Sequence, residues 1–119
     1  MLDRCMIRLG AKVLLIFCLA LVAEASAPEF LAASSVDVRW QPEHARLTLG
    51  GALLIAESEA SKNHVNFSDY ATPLFRYYHD DHLGYLWSFI FQGKAHIPGN
   101  HFMVVVNDQT QHSDFIPGE

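Results

Sequence analysis

Residues 85–92 read YLWSFIFQ, and this stretch decides the fold. Tyr85, Trp87, Phe89 and Phe91 share one parity, and Leu86 and Ile90 share the other. Successive residues of a strand point to opposite faces, so a strand that is apolar on both belongs in the middle of a sheet. The flanking sequence supplies its neighbours. Residues 101–107 (HFMVVVN) are β-branched and predict a strand paired beside it. Residues 72–79 (TPLFRYYH) predict another, in which Pro73 cannot donate to a ladder and so marks a strand start or a sheet edge. Asp80-Asp81-His82-Leu83-Gly84 has turn chemistry, and residues 93–100 make a loop around Pro98-Gly99. Phe115-Ile116 can add a short edge strand before Pro117-Gly118.

Upstream, residues 48–64 (TLGGALLIAESEASKNH) predict the one clear helix. Thr48 is a suitable N-cap, and Leu49, Ala52, Leu53, Ile55, Ala56 and Ala60 recur at three- and four-residue steps, giving one apolar face. The expected class is α+β: one amphipathic helix packed on a three- to four-stranded antiparallel sheet, in two layers. Trp87 is expected in the core, against the helix at Leu53 or Ala56. A helix covers only one face of a sheet. The far face is then either an exposed partner surface or is covered by the arm that carries Phe30, Val36, Val38 and Trp40.

The first 25 residues have the layout of a cleaved secretory signal. Arg4, Arg8 and Lys12 precede the apolar run 13–23 (VLLIFCLALVA), and small residues follow at Ala23, Ala25 and Ala27. The run is short of the roughly 20 apolar residues that a membrane-spanning helix needs. Cleavage is expected after Ala25, with Ala27 the alternative. Both cysteines, Cys5 and Cys18, leave with the signal, so the mature chain has no disulfide and relies on packing. Residues 26–41 read as a leader, flexible or with a short strand at 36–40 (VDVRW). Residues 42–119 form the single domain.

Signal removal leaves five basic and eleven acidic residues of the original eight and thirteen, a formal net charge of −6. No basic cluster exists, which argues against nucleic acid or an anionic membrane surface as partner. The expected location is periplasmic or secreted, and the mature form is not expected to span a membrane.

The helix with Ala52-Leu53-Leu54-Ile55-Ala56-Glu57, the strand with Leu86-Trp87-Ser88-Phe89, the Pro-Gly loop and the final Phe102-Met103-Val104-Val105-Val106-Asn107-Asp108-Gln109-Thr110 together resemble the small secreted PepSY-like domains of bacteria. The resemblance covers residues 48–118. It departs from the family where Asn107 and Asp108 stand in place of a single Asp, and where Gln111 replaces the turn glycine. It implies an extracytoplasmic fold that binds or restrains a peptidase or another envelope protein, and it carries over no catalytic residue. The helix and strand order is also similar to that of NTF2-like immunity or ligand-binding domains.

No serine sits in a glycine-flanked elbow, and Gly50-Gly51 lacks the lysine of a phosphate loop. The expectation is a non-enzymatic binding module with no cofactor and an extracytoplasmic protein as partner. The sharpest local chemistry is His79-Asp80-Asp81-His82. His79 and His82 could hold Zn²⁺ or Cu²⁺, and a polar hairpin turn is the plainer alternative.

Overall fold

The computed structural model describes residues 29–118. The expected signal peptide, with Cys5 and Cys18, lies outside them. Strands β1 (Leu31–Ala32), β2 (Leu74–Asp80), β3 (Gly84–Gln92), β4 (His101–Asn107) and β5 (Ser113–Pro117) form one antiparallel sheet in that spatial order. One α-helix among the described residues, α1 (Leu49–Lys62), packs on it, so the class is α+β. β3 is central, as its two-sided apolar pattern requires. The strand number corrects the expected three to four. The fifth strand is β1, whose Leu31 and Ala32 pair with Phe75 and Leu74. Two residues with small neighbours carry no readable period, which is why the sequence conceals it.

The expected strand at residues 36–40 is an ordered coil instead. Asp37 Oδ1 accepts the Arg39 N–H at 2.8 Å, and the Trp40 N–H donates to the Asp37 carbonyl at 2.9 Å. An Asp that captures local backbone in this way closes a turn at the expense of a ladder. The coil then meets the helix start. The Leu49 N–H donates to the Trp40 carbonyl and the Gly50 N–H to the Val38 carbonyl, each at 2.8 Å. Two of the helix's orphan N–H groups are thereby satisfied, and Thr48 Oγ1 accepts a third from Gly51 at 3.1 Å. The packed unit thus begins upstream of residue 42, at least as far as Leu31.

Leu49, Ala52, Ala56 and Ala60 are fully buried at three- and four-residue steps, while Leu54 on the opposite side is 68% exposed. The small residues bring α1 close to β4 and β5, where it makes most of its sheet contacts. The other half of the same face is covered by the arm that precedes the helix. The Trp40 ring lies 5.9 Å from Phe75 and 6.0 Å from Trp87, and His44 stacks on Tyr85 at 5.6 Å. The helix and the part of the arm with Trp40 and His44 therefore share one face, while Phe30 lies on the other, over Arg76. Beneath them Phe75, Trp87, Phe89, Phe91, Phe102, Val104 and Val106 form the core. Trp87 is fully buried, as expected, in the same cluster as Ala52 and Ala56, and its ring neighbours are Trp40, Phe75, Tyr77 and Phe89.

Candidate functional site

Asp108 begins the turn after β4 and is fully buried. Its Oδ1 accepts the Trp87 Nε1–H at 2.9 Å and the Leu47 N–H at 3.1 Å, and its Oδ2 accepts the Arg46 N–H at 2.7 Å. Three donors on one buried carboxylate meet the condition for keeping a charge out of water. Asp108 thus fastens the arm and the central strand to the β4–β5 turn. Beside it the Tyr77 phenol is pushed up to about 12, chiefly by burial and then by the charges of Asp108 and Tyr85. Among the described residues the buried Tyr77 hydroxyl has no hydrogen-bond partner. This end of the covered face is a structural fastening.

The functional interest lies on the other face. Strand register places its side chains in rows. Leu74, Ile90, Met103 and Ile116 stand side by side across β2, β3, β4 and β5. The next row is Arg76, Ser88, Val105 and Asp114, and the one after it starts Tyr78, Leu86 and Asn107. The Tyr78 hydroxyl and Ser88 Oγ hydrogen-bond at 3.0 Å, which closes over the middle of β3 and leaves Ser88 only 1% exposed. Ile116, at the sheet edge, is 47% exposed. The result is a row of aliphatic side chains across four strands on the face opposite α1, and on the β1 side of that face Phe30 of the arm lies over Arg76. Leu74, Ile90 and Met103 are half-buried.

Arg76 is the only lysine or arginine in these rows. Its guanidinium carbon lies 4.4 Å from the centre of the Tyr78 ring and 4.8 Å from that of Phe30. The rings fix the guanidinium by cation–π attraction. Its Nε–H is buried without an acceptor, so no described carboxylate answers this donor. Asp114, at the other end of the same row, is 67% exposed and lies 3.2 Å from His112 Nε2.

The His79–His82 segment runs from the end of β2 into the β2–β3 turn. Asp80 Oδ1 accepts the N–H groups of His82 at 2.8 Å and Leu83 at 2.9 Å, and these bonds hold its carboxyl below the ordinary carboxylate value. His79 Nδ1 is 4.0 Å from the exposed Asp81 Oδ1, and its ring meets the edge of Tyr85. Asp80 is thus engaged with backbone. Among the described residues no group of three or more His, Cys, Asp or Glu is placed to share an ion. His96 and His101 line an open cleft of about 380 Å³ beside Ile90 and Gln92. That cleft lies at the opposite end of the sheet from His79 and His82, since Asp80 pairs with Gly84 and Gln92 with His101. The four histidines do not converge.

The two-sided pattern of β3 is legible in the sequence, whereas the parts played by Arg76, Asp108 and Asp114 are not. Asp108 had a signal, as the polar residue that closes a β-branched run and whose neighbour Asn107 makes the turn. The rows emerge only with the register. No helix of the described residues is long and apolar enough to cross a membrane. No family model, no curated protein and no solved structure matches the chain.

Proposed function

We propose that this chain is a non-enzymatic binding module, secreted or periplasmic, that docks on protein through the far face of its sheet and the open edge of β5. The observation that carries the reading is the row Leu74, Ile90, Met103 and Ile116 on the face opposite α1. Burying such a strip releases about 25 cal/mol for each Å² of apolar surface removed from water. Among the described residues strand β5 is the last of the sheet, and its outer edge is a surface to which an extended segment of another protein can hydrogen-bond. The PepSY-like pattern supports a partner in the cell envelope, of which a restrained peptidase is one kind. The basic start and apolar run of residues 1–25 support export.

The test is retention of an extracytoplasmic protein by the immobilised chain. Met103→Lys places a charge in the centre of the strip, and Leu54→Lys places one on the exposed back of the helix. Retention by the wild type and Leu54→Lys chains, lost with Met103→Lys, is the expected result. Equal retention by all three, or by none, contradicts the proposal.

A further inference from the structure

We infer that the strip is first occupied by a second copy of this chain, packed face to face about a two-fold axis. The inference rests on reading this face as a docking surface and commits to its occupant.

Symmetry and charge placement point to this occupant. A two-fold axis that runs along the strands, between β3 and β4, exchanges the two halves of the face. It sets β2 of one copy over β5 of the other, and β3 over β4. The register then decides what meets what. Leu74 lies over Ile116 of the second copy, and Ile90 over Met103. In the adjacent row Arg76 lies over Asp114, and Ser88 over Val105. Because a two-fold interface is isologous, each contact occurs twice. Arg76 thus meets an exposed carboxylate at both ends of the charged row, and the apolar row meets itself. Had Arg76 and Asp114 stood in different rows, or at the same edge, the axis would not have brought them together. The Arg76 guanidinium is already held between Phe30 and Tyr78, so little ordering of this side chain is needed for it to take the second copy's carboxylate. Face-to-face sheets pack about 10 Å apart with strands within about 30°, a separation that this mix of aliphatic side chains fills. The axis brings four of the five strands of each copy into register, so the contact falls in the small class of interfaces and its assembly is concentration-dependent. The β5 edge stays open in such a pair and is left for a different protein.

The chain as the cell processes it should sediment as a concentration-dependent monomer–dimer equilibrium. Asp114→Arg alone, and Arg76→Asp alone, should each weaken the dimer by at least about tenfold, since each creates two like-charge contacts. Mixing the two variants should restore it. The carboxylate introduced at position 76 of one copy then faces the guanidinium introduced at position 114 of the other, and the second contact of the pair is the native one. Met103→Lys should abolish association in every combination. Thermal melts establish that each variant is folded, and the wild-type mass distribution needs no variant at all. A chain that stays monomeric at millimolar concentration overturns the inference, as does a mixture no tighter than its components. If that monomer still loses an extracytoplasmic protein on Met103→Lys, the docking surface stands and its occupant is a different protein. If a dimer forms and no other protein is ever retained, the wider reading fails and the self-association stands.

Discussion

The indole N–H of Trp87 reaches Asp108 Oδ1 at 2.9 Å, and both residues are fully buried. One hydrogen bond thereby joins the middle of the sheet to the turn that leads into its edge strand. The same carboxylate holds the N–H groups of Arg46 and Leu47. Asp108→Ala leaves all three donors without an acceptor. Each orphaned buried donor costs about 1–3 kcal/mol, so the expected loss is on the order of 3–5 kcal/mol. Trp87→Phe loses one donor and part of its volume and should cost less. Urea midpoints at constant slope give the comparison. An Asp108→Ala chain as stable as wild type would rule out the fastening.

The two glycines of the first helical turn should behave oppositely. A Cβ on Gly50 would sit 3.1 Å from the Val38 carbonyl oxygen and 3.2 Å from Val38 Cβ. That carbonyl also accepts the Gly50 N–H, so the arm cannot withdraw without losing the bond. A Cβ on Gly51 would meet nothing closer than Thr48 Oγ1 at 3.4 Å. Gly51→Ala should therefore stabilise by about 0.5–1 kcal/mol through helix propensity, and Gly50→Ala should destabilise despite the same propensity gain. Thermal melts of the two variants decide it.

Gln111 adopts a φ of 64° in the β4–β5 turn, where the resembling family has glycine. A side chain in this left-handed region costs about 1 kcal/mol. Gln111 is exposed and contributes its N–H to the Asn107 carbonyl, a bond that glycine keeps. Gln111→Gly should raise stability by about 1 kcal/mol. A lower melting temperature would show that the Gln side chain holds the turn.

Tyr77 gives the fold an alkaline signature. Its phenol is pushed up to about 12, so between the ordinary tyrosine value and 12 the unfolded chain has lost a proton that the folded chain keeps. Stability from this group is fully present below the ordinary tyrosine value of about 10 and is lost as pH rises toward 12. Tyr77→Phe removes that slope. It also removes a buried hydroxyl without a partner, so at neutral pH it should leave stability unchanged or higher. The check is the difference between wild-type and variant melting temperatures across the alkaline range, from about pH 9 to about pH 12. A variant with the wild-type slope would place the titration elsewhere.

Much of the architecture is legible in the chain, for identifiable reasons. The β3 pattern is apolar on both parities, with Trp87, Phe89 and Phe91 in the core and Leu86 and Ile90 on the far face between the side chains of β2 and β4, so centrality shows in the residues themselves. The helix shows through Leu49, Ala52, Ala56 and Ala60, and its cap through Thr48. The arm does not show. Val36, Val38 and Trp40 alternate like a strand, yet Asp37 diverts the backbone into a turn, and Trp40 then packs beside the helix and not on the far face. With Trp40 on the helix side, the row of Leu74, Ile90, Met103 and Ile116 is left without that ring as cover. Nothing local in the sequence foretells the row, because four residues from four strands align only through the register of three hairpin ladders. Arg76 and Asp114 are hidden for the same reason.

On the proposed reading, this far face is where the chain meets protein. A photo-crosslinking residue placed at Met103 in living cells tests it most directly, with the same residue at Leu54 as the reference for general surface exposure. Discrete adducts are predicted from position 103, to a second copy or to another extracytoplasmic protein, and none from position 54. Adducts equal at both positions, or absent from position 103 in a folded chain, would contradict it.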